Sequence, residues 1–250
     1  MEDQARTLTD LLHHDTSYPA GSKVLELGCG VGAQTCILAS RSPEAWITSV
    51  DISPASIAAA RAAVAEAGYG NVTFLAADLF RLPFPPGSFD HVFICFVLEH
   101  LPDPGKALAV ARRMLRPGGT LTVIEGDHGS AYFHPQNPRS QQAIGCLVEL
   151  QRRDGGDALI GRRLYPLLAA AGFHNVRVSP RTVYVDPSRP DLEQGFTRDT
   201  FTAMVEGVRE RAVAEGLMSE AEWDEGVDGL YRTAEGGTFL YTFFKGTGTR

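Results

Sequence analysis

Cysteine is scarce: Cys29, Cys36, Cys95 and Cys146 are the only four in 250 residues, and none forms a CxxC pair. That spacing excludes a disulfide framework, a zinc knuckle and a dithiol redox motif, and we expect a reduced, cytoplasmic setting. Basic residues are also short, 23 Lys and Arg against 30 Asp and Glu, for a net charge of −7. A wide nucleic-acid footprint needs clustered Lys and Arg, so no nucleic-acid partner is expected. No apolar run reaches the ~20 residues of a membrane span. The start, MEDQARTLTDLLHHDT, lacks the basic head and apolar core of a signal peptide. Seven histidines make no HExxH or similar spacing, so no metal is expected. These exclusions leave a small-molecule partner.

What is present is a foldable core, with 44% hydrophobic residues, and 26 glycines, about a tenth of the chain where roughly 7% is usual. The length suits one domain with additions. From Lys23 onward, short apolar runs alternate with helical stretches. KVLELG (23–28), WITSVDI (46–52), VTFLAAD (72–78), FDHVFICFVL (89–98) and TLTVIEG (120–126) read as strands. Helices are expected from Gly32 to Ser40, from Ser53–Pro54 to Gly68, and from Asp103 to Leu115. Such alternation implies a parallel sheet with helices on both faces.

The second half is less regular. Residues 127–160 read as a loop followed by a helix through Arg153, then a helix over Arg162–Ala171 and a strand over Val176–Val185. Helical stretches over Arg198–Ala214 and Ser219–Thr233 precede a last strand, TFLYTFFKG (238–246). The expected fold class is α/β: a Rossmann-like, seven-stranded, mostly parallel sheet with an antiparallel last strand. One domain over 1–250 has its core in 20–126, 161–185 and 238–246, with lid insertions at 127–160 and 186–237.

Glu26-Leu27-Gly28-Cys29-Gly30-Val31-Gly32-Ala33 joins the first strand to the first helix. Glycines there let the backbone turn sharply and approach a ligand closely. Asp51 ends the second strand, 21 residues after Gly30, where a carboxylate can accept both ribose hydroxyls of a nucleoside. Asp78 ends the third strand and can accept from an exocyclic amine. Taken alone, Gly28-x-Gly30-x-x-Ala33 also satisfies a relaxed dinucleotide fingerprint.

The wider pattern separates these options. ELGCGVGAQT, VDIS, AADLFRLPFPPGSFDHVF, VLEHLPDP and RPGGTLTVIE follow in order over residues 20–126. Together they resemble class I S-adenosylmethionine-dependent methyltransferases, especially the small-molecule group of the ubiquinone, menaquinone and sterol type. The resemblance implies S-adenosylmethionine as cofactor and S-adenosylhomocysteine as product. It places Gly28, Cys29 and Gly30 along the methionine moiety and Glu26 as orienter of the loop or the amino group. Asp51 takes the ribose and Ile52 packs on adenine. Ala77, Asp78 and Leu79 frame that ring, while Phe96 and Gln34 lie near the methionine tail.

In an open parallel sheet, ligands bind beyond the carboxyl ends of the strands, so both insertions should cover the mouth of this site. Tyr132, Phe133, Phe196, Phe201, Met204, Tyr231 and Phe239 give the insertions an aromatic character that suits a hydrophobic or planar acceptor, a homo-oligomer contact or plain core packing. Candidate bases are Asp127 and His128 beyond the fifth strand, and Glu99 and His100 beyond the fourth, with Glu125 shaping the pocket. EGDHGSAYFHP, ALIGRRLYPLL, GFTRDTFTAMVEGVRE and LYRTAEGG also resemble bacterial secondary-metabolism C-methyltransferases, including indole C3-methyltransferases. Members of that subgroup usually carry an extra N-terminal tyrosine segment. Here the chain starts almost at a helix near Ala5–His13, and Tyr18 is the nearest substitute.

The leading expectation is methyl transfer to carbon or nitrogen of a small apolar or aromatic acceptor. The alternatives are a cyclase using the same cofactor electrostatically, a nicotinamide oxidoreductase, and a non-enzymatic binding protein.

Overall fold

The computed structural model describes the backbone of residues 2–250 and the side chains from Leu8 onward. Seven strands form one sheet: β1 (Lys23–Leu27), β2 (Trp46–Asp51), β3 (Val72–Ala76), β4 (Phe89–Cys95), β5 (Leu115–His134), β6 (His174–Val185) and β7 (Thr238–Thr249). Their order is β3-β2-β1-β4-β5-β7-β6. The first five pair in parallel, whereas β7 runs antiparallel to both neighbours, as the sequence pattern predicts.

Strand alternation explains why these apolar runs need cover on both sides. Val24, Phe93, Cys95 and Ile124 enter one hydrophobic cluster, and Leu25, Val92, Ile94, Leu121 and Val123 enter another. The first is covered by α1 (Glu2–His13), α2 (Ala33–Arg41) and, after α3 (Pro54–Glu66) and α4 (Pro104–Met114), by α5 (Pro138–Arg153). The second is covered by α4 and by α6 (Leu164–Ala170). Three helices begin with one device, a polar cap followed by proline. Ser53, Asp103 and Asn137 accept backbone N–H groups of Ser56, Lys106 and Arg139, with Pro54, Pro104 and Pro138 entering the first turn.

The irregular half departs from expectation in four places. Residues 127–134 are strand rather than loop, because β5 continues past Gly126 and pairs with β7 through His134↔Thr238. The segment 160–171 begins as a 3-10 turn over Ile160–Arg163 before α6. The expected helix over 198–214 is broken. Residues Glu193–Thr202 form a π-helix, in which the hydroxyls of Thr200 and Thr202 donate to the carbonyls of Gly195 and Thr197, five residues back. Short helices Ala203–Glu206 and Arg209–Ala214 follow, then Glu220–Thr233. Finally, β7 extends three residues beyond Gly246, to Thr249.

The amino-terminal helix is locked onto the sheet. Leu8 and Leu12 are buried with Leu38 and Phe196, and Lys245 on β7 donates to Asp15 and Thr16 at 2.6 Å each. Arg181 on β6 adds a second ion pair to Asp15.

Gly145 lies in α5, exposed, with open space where a Cβ would stand. Gly145→Ala should therefore raise stability by about 0.5–1 kcal/mol, since glycine carries a backbone-entropy penalty inside a helix. Denaturant unfolding reads this out, and an unchanged or lower midpoint contradicts it.

Candidate functional site

The strand order reverses between β1 and β4, which opens a crevice at their carboxyl ends. The register places Leu27 opposite both Val50 and Ile94, so the loops after β1, β2 and β4 meet there. A cavity of about 330 Å³ fills this crevice. Its walls include Gly28, Cys29, Gly30, Gln34, Asp51, Ile52, Ala77, Asp78, Leu79 and Phe96, all anticipated from the sequence, together with Val31, Ala33, Val50, Phe80, Cys95, Val97, His100 and Leu101.

The glycine loop adopts its path because three residues sit at positive φ: Gly28 at 73°, Gly30 at 52° and Gly32 at 91°. A Cβ on Gly28 would meet Val97 Cγ2 at 2.5 Å, and one on Gly32 would meet the Cα of Ala60 at 2.8 Å. At Gly30 nothing lies within 4 Å of that position. The missing side chain there leaves open space beside the cavity. Asp51 holds the loop: its Oδ2 accepts from Gly30 N–H and its Oδ1 from Ser53 N–H, both at 2.9 Å. Each oxygen keeps a further lone pair. Asp78 Oδ1 accepts from Phe80 N–H at 2.9 Å, starting the 3-10 turn Leu79–Arg81. Ile52 and Phe80 are 73% and 41% exposed, two large apolar side chains at the cavity rim.

Glu26, expected to orient the loop or the amino group, does not line the cavity. It lies beneath the loop, 2% exposed, where Oε2 accepts from Thr35 and Ser49 hydroxyls at 2.6 Å each. Burial pushes its carboxyl up to about 7 against those two hydrogen bonds, with Asp51 adding a smaller push.

Of the five candidate bases, only His100 lines the cavity. The other four lie behind its wall. Glu125 Oε1 accepts from the backbone N–H groups of Val97 and Leu98, at 3.1 and 2.8 Å. This fixes the corner after β4, where Phe96 adopts φ 56°, a strained value for a bulky side chain. Asp127 faces away, held by Arg162 through two hydrogen bonds of 2.7 Å. His128 sits in a bulge of β5, where the register with β7 breaks between Asp127 and Tyr132. The bulge turns His128 inward, so that Nδ1 lies 2.7 Å from the Tyr241 hydroxyl and Nε2 3.7 Å from Glu99 Oε2. Burial lowers the His128 pKa against the pull of Glu99 and Asp127, keeping the ring neutral.

Tyr241 was not singled out in the sequence. It reads there as one more inward aromatic of β7, and only the bulge gives its hydroxyl a partner.

The insertions do not line the cavity. Phe196, Phe201 and Phe239 are each 1% exposed and stack with Tyr241 and Phe243 at centroid distances of 4.7–6.0 Å. They are core packing, and they touch the cavity wall through Phe243 against Phe96 at 5.6 Å. Tyr132, by contrast, is 67% exposed. Tyr18 stacks on His91 at 4.8 Å, at the opposite end of β4 from the cavity, so it closes nothing there. Among the described residues, no group of three or more His, Cys, Asp or Glu side chains is placed to hold a metal. No described helix is long and apolar enough to cross a membrane.

Comparison with known proteins shows the family. Residues 25–123 match the methyltransferase domain family. A demethylmenaquinone methyltransferase of Listeria monocytogenes is 32% identical over 174 residues, 63% of this chain and 72% of the relative. An uncharacterized 37.1 kDa protein from a Streptomyces fradiae transposon is 32% identical over 219 residues, 86% of this chain and 59% of that protein. A Thermus thermophilus demethylmenaquinone methyltransferase is 42% identical over 106 residues, 42% of this chain. The chain spans about half of that enzyme's length, 48%.

Among solved structures, the YcgJ protein of Bacillus subtilis superposes with a TM-score of 0.61 at 17% identity, covering 98% of both chains. A Haemonchus contortus phosphoethanolamine N-methyltransferase bound to S-adenosylhomocysteine gives 0.58 at 20% identity, over 98% of this chain and 53% of that one. The [4+2]-cyclase SpnF gives 0.54 at 19% identity, over 98% and 80%. At these identities the likenesses show the fold alone. The chain belongs to the class I methyltransferase family.

Because the folded pKa of Glu26 lies above its ordinary value of 4.5, the native state holds a proton there that the unfolded chain releases. Its contribution is fully present below pH ~4.5 and is lost as pH rises through ~7. Glu26→Gln should therefore gain stability relative to the parent between pH 5 and pH 8. Denaturant unfolding at both values tests this, and a pH-independent difference contradicts it.

Proposed function

We propose that the chain is an S-adenosylmethionine-dependent methyltransferase acting on carbon or nitrogen of a small, largely apolar or aromatic acceptor. The observation that carries this reading is the cavity at the β1/β4 crevice. Open space beside Gly30 suits close approach of a methionine backbone, and Gln34 and Phe96 stand along the same wall. Asp51 has both oxygens fixed by N–H groups and lone pairs left for two ribose hydroxyls. Ile52 and Phe80 form an apolar edge for adenine, framed by Ala77, Asp78 and Leu79. When bound, the cofactor supplies an activated methyl group on a sulfonium. Glu26 then acts from below, by holding the loop.

On the acceptor side, His100 is the candidate that reaches the cavity directly. Glu99 and His128 form a dyad behind it, positioned by Glu125, while Asp127 and Arg162 hold the start of the bulge. Neutral His128 next to ionisable Glu99 suits removal of a proton from an N–H or C–H acceptor. We read the chain as one domain whose core is 20–126, 161–185 and 238–246, with 127–160 and 186–237 shaping the acceptor side. A second reading, a cyclase that uses the same cofactor electrostatically, draws support from the shared fold of SpnF. Membership of the methyltransferase family disfavours the nicotinamide oxidoreductase.

Calorimetry with S-adenosylhomocysteine tests the cofactor site. Asp51→Ala should weaken binding by about one to two orders of magnitude, since charge-assisted hydrogen bonds contribute ~1.5–3 kcal/mol. Unchanged affinity removes Asp51 from the site. Labelled methyl transfer to a panel of indoles, phenols and amines tests the reaction. A rearranged, unmethylated product favours the cyclase, and binding of NAD without S-adenosylhomocysteine overturns both.

A further inference from the structure

We propose that the buried cluster of Glu99, Glu125, His128 and Tyr241 binds a cationic amine attached to an apolar body, and that this amine belongs to the methyl acceptor. The second half of this statement rests on the methyltransferase reading above; the first rests on the cluster itself.

Glu125 is fully buried, yet only half of its carboxyl is used. Oε1 accepts from Val97 and Leu98 N–H, while Oε2 is buried with no hydrogen-bond partner. An unpartnered buried carboxylate oxygen is costly enough to imply a missing partner. Glu99 is also buried. Its Oε2 accepts from Gln151 Nε2 at 3.2 Å and stands 3.7 Å from His128 Nε2, beyond direct hydrogen-bonding distance. The Tyr241 hydroxyl and His128 Nδ1 share a hydrogen bond of 2.7 Å, which leaves Nε2 as the ring nitrogen on the Glu99 side.

No fixed cation compensates these two acids. Arg162 is committed to Asp127, and Lys245 to Asp15. Among the described residues, neither Glu99 nor Glu125 pairs with Lys or Arg, and burial keeps His128 neutral. An anionic ligand would find no cation to pair with, and a neutral donor would satisfy one oxygen without letting Glu125 ionise. A cationic amine does both. Burial, and after it the nearby Glu99 charge, pushes the Glu125 carboxyl well up, so the cluster alone holds a proton there that a bound ammonium would replace.

The side chains around the cluster are aromatic and would form the walls for an apolar body once they part. Phe201 meets His128 edge-on at 6.4 Å, Tyr241 lies 4.7 Å from Phe243, and Phe243 packs on Phe96 at 5.6 Å. Aromatic faces at such distances also attract a cation. The cluster is placed for this purpose relative to the cofactor cavity. In the turn after β4, Phe96, Val97, His100 and Leu101 face the cavity, whereas Glu99 faces the cluster. A ligand held by Glu99 therefore lies one side-chain layer from the cavity. Because Phe196, Phe201 and the paired strands β5 and β7 enclose the cluster, entry requires the helical segment carrying Phe196 and Phe201 to part from the sheet.

The test is calorimetric titration of the full chain, with and without S-adenosylhomocysteine, using three probes of similar shape: phenethylamine, 2-phenylethanol and 3-phenylpropionate. The amine should bind at least ~10-fold more tightly than the alcohol, and the acid should bind least. Glu99→Gln and Glu125→Gln should each remove most of the preference for the amine over the alcohol. Glu99→Gln guards against a folding defect in the other variant, which alters the group that holds residues 97 and 98. Equal affinities, tighter binding of the acid, no amine binding at all, or a preference intact in both variants overturns the proposal. Failure of the parent chain to bind S-adenosylhomocysteine counts instead against the methyltransferase reading, and amine selectivity on the unloaded chain still decides the cluster.

Discussion

Three consecutive backbone N–H groups attach the glycine loop to the end of β2, and the cavity depends on that attachment. Gly28 and Cys29 both donate to the Val50 carbonyl, at 2.7 and 3.0 Å, and Gly30 donates to the Asp51 carboxylate at 2.9 Å. The chain reaches this arrangement only because Gly28 and Gly30 accept positive φ. Left without acceptors, such buried donors would each cost about 1–3 kcal/mol. Asp51 thus serves twice, as frame for the loop and as a polar wall of the cavity. Glu26 repeats the logic one layer lower, tying β1 to β2 through Ser49 and to α2 through Thr35.

A second attachment, at the end of β4, decides what the far wall looks like. Phe96 N–H donates to the Ile124 carbonyl, and the next two N–H groups converge on Glu125. These bonds over-determine the corner and hold Phe96 in its left-handed conformation. The consequence is a short turn with two working faces. One faces the cavity through Val97 and His100; the other turns Glu99 toward His128 and Tyr241. A carboxylate with no exposure of its own therefore shapes both sites.

The cofactor half was legible in the sequence because its chemistry is local and backbone-driven. Positive-φ glycines, a strand-end acid at fixed spacing and short apolar strands each leave a mark within a few residues. Ten of the eleven residues expected around the cofactor line the cavity. Glu26 lies one layer lower, where strand alternation turns it beneath the loop. The cluster around His128 was illegible for the opposite reason. His128 and Tyr241 are 113 residues apart, and their contact depends on a bulge that no periodicity announces. The same bulge, with Gly126 and Gly129 near it, made residues 127–134 look like a loop, although pairing with β7 makes them strand. The π-helix was hidden likewise, since its side chains repeat at a spacing close to that of an ordinary helix.

The division between local and long-range construction separates the two halves energetically as well. No residue of the insertions lines the cavity, and the aromatic packing beside it meets the cavity wall at Phe96, which Phe243 contacts at 5.6 Å. Changes among Phe196, Phe201, Phe239 and Tyr241 would repack the aromatic core while leaving the hydrogen bonds of Gly28, Gly30 and Asp51 untouched, because distant sites add nearly independently. The turn from Phe96 to Leu101 is the exception, since it belongs to both sides. Its backbone is fixed by β5 and its side chains alternate between cavity and cluster. Any change in acceptor that requires the turn to move must also move the cavity wall. Repacking among the insertion aromatics can therefore leave the cavity wall in place, whereas any movement of that turn cannot.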